Sequence, residues 1–355
     1  MEKECLQVNK CYILGAGASF GYDDSISFEL RPPLTNEFFV KGHRLGIFTE
    51  QFFPDLFLRL KEFLKIDGDI QRQQQLDCDI EKLLDWLAKE FNKSTPSPKV
   101  DFTRVNQVQR ALSQAYYFIY ELFRHYSLSY TPMFDNYRRL VLHYHTCKYG
   151  IITLNYDVLL ELAAQSVNLS THYFSGPHYP KSIPIAKIHG SINWLNPCKG
   201  GIAFQGLGSD SFLDIITPIF SNRINMGSMM VLPLAAIRDV SYRDFVRSGI
   251  DYDEPAIIPP FAGYKDYDKI KDYSNVWMFA ESMLRETKEL VIIGCSIRPE
   301  DIKFNELLKK AVSEKVSITV VDKFPDKVIS NMEKVVTKPI IDKSFTSFTD
   351  YAKSL

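Results

Sequence analysis

Residues 13–21 read ILGAGASFG, an apolar run that collapses into three glycines, two alanines and a serine. Cys11, Tyr12, Ile13 and Leu14 have the character of a short buried strand of the kind that fills a parallel sheet. The chain must then turn sharply. Gly15 and Gly17 can take positive φ and lack a Cβ, so a bound group could lie directly against the backbone amides. A helix starting near Ala18 would turn its unpaired N–H groups and the positive end of its dipole toward the same place, which suits a pyrophosphate. Gly21 falls one residue later than the third glycine of G-x-G-x-x-G. Two readings stand on these residues alone: a phosphate cradle, and a glycine turn that only joins strand to helix.

Four later segments repeat this grammar of an apolar β-rich run closed by polar residues or glycine. They are GIITLNYD (150–157), IPIAKIHG (183–190), ELVIIGCS (289–296) and VSITVVD (316–322). Alternating with helical stretches, they predict an α/β protein with a Rossmann-like parallel sheet. Asp157 is placed to cap a helix over VLLELAAQ, and PEDIKFNELLKKAV has an acidic first turn and basic residues near its end. Between the first two strands, IFTEQFFPDLFLRLKEFLKI, DIEKLLDWLAKEF and VNQVQRALSQAYYFIYELF carry apolar residues at helical spacing, interrupted by STPSPK. The expected organisation is a discontinuous Rossmann-like domain over 1–44 and 146–355, a large helical insertion over 45–145, and an irregular insertion over 196–255.

The 355 residues include 42 basic and 43 acidic side chains, so no global field draws in DNA or an anionic membrane, and sequence-specific nucleic-acid binding is not expected. The six cysteines form no C-x-x-C pair, which argues against a zinc ribbon or a disulfide framework and favours a reducing cytoplasm. No long apolar segment follows the charged N-terminus, so neither a signal peptide nor a membrane span is expected. His143, His145 and Cys147 lie close together, but their apolar helical context favours packing over a metal site, and the three tryptophans read as core residues.

In an open parallel sheet, ligands bind beyond the carboxyl ends of the strands, so the residues closing these runs should converge on one crevice. They are Gly15, Ala16, Gly17 and Ser19, then Asn155, Tyr156 and Asp157, then His189, Gly190 and Ser191, then Gly294 and Ser296, and last Asp322. The order GAGAS, TLNYD, KIHGSINW, IIPP, IGCS and a late strand ending in Asp resembles the sirtuin-like superfamily, whose members cleave NAD. In detail it is most similar to the bacterial sirtuin-like NAD hydrolases of anti-phage defence, with N-Y-D, H-G-S followed by Trp, and the Trp-containing helix YSNVWMFAESMLRE. The four zinc cysteines of the protein-deacetylating sirtuins are absent, so no zinc is expected, and FGYDDSISFELRPPLT stands in place of their cofactor loop.

The resemblance implies roles for these residues. Gly15, Ala16, Gly17 and Ser19 would surround the pyrophosphate of NAD, and Gly190 would also bind the cofactor. Asn155 would hold the nicotinamide ribose and help position water, and Asp157 would lie near the carboxamide. His189 would be the catalytic base, acting on a ribose hydroxyl or on the attacking water, Gly294 and Ser296 would meet the adenosine ribose or phosphate, and Asp322 would accept from the adenosine ribose hydroxyls. The expected activity is hydrolysis of NAD to nicotinamide and ADP-ribose, held off until a trigger arrives. The resemblance also implies homo-oligomers and partnership with a HerA-type ATPase or another defence sensor. The alternatives are a protein deacylase or ADP-ribosyltransferase, and a silent module that binds NAD or ADP-ribose.

Overall fold

A computed structural model describes residues 9–68, 76–94, 102–133, 135–173, 181–196, 230–239, 241, 254–260, 271–337 and 339–355. The glycine-rich stretch CKGGIAFQGLGSDS, all of SNRINMGSMM but Met230, Cys5 and Cys198, and nearly all of STPSPK lie outside them.

The chain opens with β1 (Lys10–Leu14), a short helix α1 (Ala16–Phe20) and a turn of 3₁₀ helix, and then enters four helices. These are α2 (Phe38–Arg44), α3 (Pro54–Leu64), α4 (Ile80–Ser94) and α5 (Phe102–Ser129). Then follow α6 (Asn136–His143), β2 (Gly150–Thr153), α7 (Leu159–Ser166), β3 (Ser170–His172), β4 (Ser182–Lys187) and β5 (Gly190–Asn196). Beyond these come β6 (Met230–Val231), a helix at Leu234–Asp239, β7 (Glu254–Ile257), a helix at Lys271–Glu286 and β8 (Glu289–Ile293). The chain closes with the helix Ile302–Ala311, β9 (Ser317–Val321), the helix Pro325–Val335, β10 (Ile340–Phe345) and the helix Phe348–Lys353.

Seven strands form one sheet in the order β10-β9-β8-β1-β2-β4-β3, and every neighbouring pair is parallel. The β1, β2 and β4 residues are almost wholly buried, as a sheet covered on both faces requires. This is the expected Rossmann-like α/β class. Because the chain leaves β1 toward β2 on one side and reaches β8 on the other, the order reverses at β1, where a crevice opens beyond the strand ends.

A second hydrophobic cluster gathers α2 to α5, with Phe39, Phe48, Phe53 and Phe118 packed ring against ring. α3 begins with Pro54 at its first position and ends at Lys65, whose φ of 56° closes the helix in the left-handed conformation. On α5 the buried residues Val105, Val108, Leu112, Ala115, Ile119, Leu122 and Tyr126 recur at three- and four-residue steps and form the stripe that faces this cluster. α6 packs elsewhere: Tyr137, Leu140 and Val141 belong to the cluster around the large sheet. A small antiparallel sheet, β6-β5-β7, joins the two, since Trp194 and Ala256 pack with the large sheet and Ile192 and Ile257 with the helices.

Three local expectations are corrected. The first helix starts at Ala16, with Gly15 as its N-cap in an extended conformation, so Gly17 lies inside the helix. α7 is capped by Val158; the Asp157 carboxylate instead accepts from the Leu159 N–H with one oxygen and is drawn to Ser19 with the other. The later helix has no acidic first turn: Asp301 is its N-cap, accepting from the Phe304 N–H, and Glu300 precedes it.

Candidate active site

The glycines of the first motif serve a close meeting of two turns. Gly15 N–H donates to the Ile293 carbonyl at 3.0 Å and Gly17 N–H to the Gly294 carbonyl at 2.9 Å. A Cβ on Gly15 would fall 2.5 Å from the Gly294 oxygen, and one on Gly17 would fall 2.7 Å from the Gly294 Cα. Neither residue takes positive φ; the left-handed glycine here is Gly294, at 57°. The two N–H groups expected to face a phosphate are therefore used by the neighbouring turn.

Around this junction lies a cavity of about 800 Å³, a size typical of small-molecule sites. Gly15, Ala16, Gly17, Ser19, Asn155, Asp157, His189, Gly294, Ser296 and Asp322 all line it. Gly190 does not. It sits at the turn between β4 and β5 with φ of 82°, where a Cβ would strike the Ala256 carbonyl oxygen. Its hydrogen of a side chain lets β5 and β7 approach directly behind His189, whose carbonyl accepts from the Ile258 N–H.

Ser19 is the centre of a buried polar network beneath the cavity. Its hydroxyl donates to Asp157 Oδ2 at 2.6 Å, lies 2.8 Å from the Tyr137 hydroxyl and accepts from Asn155 Nδ2 at 3.0 Å. Asn155 Nδ2 also donates to the Gly15 carbonyl at 2.9 Å, so the second strand end is fastened to the first. Burial pushes the Asp157 carboxyl up, and Lys187 and the Ser19 hydroxyl oppose that rise. Lys187, fully buried, donates to the Asp157 carbonyl and to Glu161 Oε1, which also receives the Tyr173 hydroxyl. Each charge in this layer thus meets an opposite charge or a donor, as burial demands.

His189 is 2% exposed, and its Nε2 lies 3.0 Å from Asp301 Oδ2. The pair is within ion-pair distance yet forms no well-aligned hydrogen bond, and neither atom has another hydrogen-bonding partner. Burial alone would lower the imidazole, but Asp301 and then Glu81 outweigh it and hold His189 above its ordinary range. Arg298 donates to Glu81 Oε2 at 2.7 Å, to Asp79 Oδ2 at 3.2 Å and to Thr35 Oγ1 at 2.6 Å, bringing the start of α4 against the loop after β8.

Glu81, Arg298 and Asp301 also line the cavity, and sequence reasoning missed all three. Asp301 carried one signal, its N-capping position, and that signal says nothing about His189. Arg31 and Phe28, from the FELRPP segment, form part of another wall. Lys41 holds this segment by donating to the Phe28 and Arg31 carbonyls at 3.1 and 2.7 Å. Among the described residues no group of three or more His, Cys, Asp or Glu is placed to hold a metal ion, and no helix is long and apolar enough to cross a membrane.

Fold and cavity together define a Rossmann-like α/β protein with a ligand-sized crevice at the switch point of its sheet. No protein-family model and no curated protein matches the chain. Among solved structures, a chain from "The Structural basis of Sirtuin Substrate Affinity" aligns over 97% of this chain and 91% of its own, with 11% identity and a TM-score of 0.37. Another, from "Structural Basis for the Mechanism and Regulation of Sir2 Enzymes", covers 78% of this chain and 98% of its own, with 14% identity and a TM-score of 0.29. The fold assignment rests on the strand order itself.

Proposed function

We propose that this protein hydrolyses NAD to nicotinamide and ADP-ribose. The observation that carries the reading is that His189 and Asn155, buried side chains from the ends of two strands, line one cavity together with the glycine turns and Asp322. The motif order that resembles the sirtuin-like NAD hydrolases supplies the substrate class.

The chemistry fits such a wall. As the bond between the ribose C1′ and the pyridinium nitrogen breaks, its electron pair returns to the ring, and nicotinamide leaves neutral. Water forms the new bond to C1′, and its proton passes to His189. The protein has to stabilise an oxocarbenium-like ribose and place the water on its open face. Asn155, tied to Gly15 and Ser19, is held in one place for that task. The cavity extends from His189 to Asp322 and Phe324, room for the dinucleotide's adenosine half.

Unrestrained NAD hydrolysis would kill the host cell, so the same proposal includes a trigger, supplied by self-assembly or by a partner such as a HerA-type ATPase in anti-phage defence. The test is nicotinamide release from NAD by wild type, His189→Ala and Asn155→Ala, alone and with candidate partners. Release abolished by both substitutions supports the hydrolase. Turnover that requires an acylated peptide or a protein acceptor would replace it with a deacylase or transferase, and binding without turnover would replace it with a silent module.

A further inference from the structure

Nothing in the HGSINW motif says what holds the His189 ring. Its Nε2 and Asp301 Oδ2 are both buried, 3.0 Å apart, and otherwise without a hydrogen-bonding partner. Two such atoms facing each other are costly unless they serve one another, and buried unsatisfied polar atoms call for a specific explanation. The carboxylate is not free to wander. Its other oxygen, Oδ1, accepts from the Phe304 N–H at 3.2 Å and caps the helix Ile302–Ala311, so that helix aims Oδ2 at the imidazole.

We propose that Asp301 is the positioning residue of His189: it fixes the ring and keeps the proton on Nε2, leaving Nδ1 as the nitrogen that accepts a proton. The inference rests on His189 acting as the base described above. A neutral imidazole carries one N–H and one lone pair, and a carboxylate facing one nitrogen favours the N–H there. The charged groups around the ring are Asp301 from the helix cap, Glu81 from α4 and Arg298 from the loop after β8, with Asp79 beyond Arg298. Asp301 is the carboxylate with an atom at contact distance, and Glu81 is already engaged by Arg298.

The roles separate experimentally because Asn and Ser cap helices about as well as Asp. Asp301→Asn and Asp301→Ser therefore keep the helix end while removing the negative charge beside His189. The first readout needs no turnover: titration of the His189 ring by NMR, with its resonance assigned by its loss in His189→Gln. The second is the pH profile of nicotinamide release from NAD. The proposal expects the His189 titration in both variants to move to lower pH than in wild type. It also expects the acid limb of the profile to move the same way, with kcat down by roughly 10²-fold and KM little changed. A His189 titration unmoved in both variants, in protein whose amide spectrum shows an intact fold, would overturn it. If wild type released no nicotinamide under any condition, the hydrolase reading would fall, and the ring titration would still decide the role of Asp301.

Discussion

Gly17 donates its N–H to the carbonyl of Gly294, joining the turn after the first strand to a turn almost three hundred residues further along. The pair explains why a glycine stands at each of these two places. Alanine at 17 would place a Cβ 2.7 Å from the Gly294 Cα, with backbone on both sides and nothing flexible to yield. Gly17→Ala should therefore cost about 1–3 kcal/mol, the usual range for overpacking. Gly294→Ala should cost more, because left-handed strain at φ of 57° adds to a contact 2.2 Å from the Ala18 nitrogen. Urea unfolding of the two variants gives the comparison; equal stability with wild type would mean that the two turns separate easily.

Lys187 and Glu161 form an ion pair with both side chains essentially out of water, at 2.8 Å. Lys187→Met leaves Glu161 charged and unpaired and should cost about 3–5 kcal/mol. The double substitution Lys187→Met with Glu161→Leu should restore much of that loss. The coupling is read from a double-mutant cycle in chemical denaturation.

The His189–Asp301 contact also predicts how stability changes with pH. His189 is held above its ordinary value in the folded chain. Its contribution is therefore fully present below the unfolded value of about 6.5 and is lost as pH rises through the higher folded value. Wild type should exceed His189→Gln in stability by more at about pH 6 than at about pH 9. A constant difference across that range would show that the ring carries no extra proton affinity.

Cysteine labelling checks the packing of the glycine junction. Cys11, Cys78 and Cys295 are buried, and burial pushes the thiols of Cys78 and Cys295 up to about 12 and that of Cys11 up as well. Thiolates are the reactive form, so a thiol reagent at neutral pH should modify Cys147 well before these three, as mapped by mass spectrometry. Early labelling of Cys295 would mean that the wall beside Gly15 opens.

What was legible in the sequence was what hydrophobic runs announce. β1, β2, β4, β8 and β9 are buried apolar segments and stand out, as do the amphipathic helices. β3, with the residues Ser-Thr-His, and β10, with exposed Asp342, Lys343 and Ser344, are sheet edges without an apolar signature. The strand-end residues line one cavity as the fold rule requires, apart from Gly190, whose place behind His189 depends on the antiparallel approach of β7, and Ser191, whose buried hydroxyl donates to Asn193 Oδ1 instead. The partners of His189 were not legible. Glu81, Arg298 and Asp301 look like an ordinary helix start, loop residue and cap, and their meeting depends on how α4 lies against the loop after β8. The polar network under Asp157 was hidden for the same reason: Tyr137 and Lys187 are brought to it by tertiary packing alone.

The strand order has one more consequence, for the order in which the chain can assemble. β1 precedes both of its neighbours, β2 and β8, in the chain, so one of them is made only after the chain has passed Glu289. The helices α2 to α5, by contrast, meet one another within residues 38–129. Local contacts form early and distant ones late. A ribosome would therefore expose a helical body long before β1 could be locked between its neighbours, leaving one edge of that strand open until β8 is made. The glycine turn that would face substrate acquires its shape only when residues 293 and 294 arrive to accept its N–H groups.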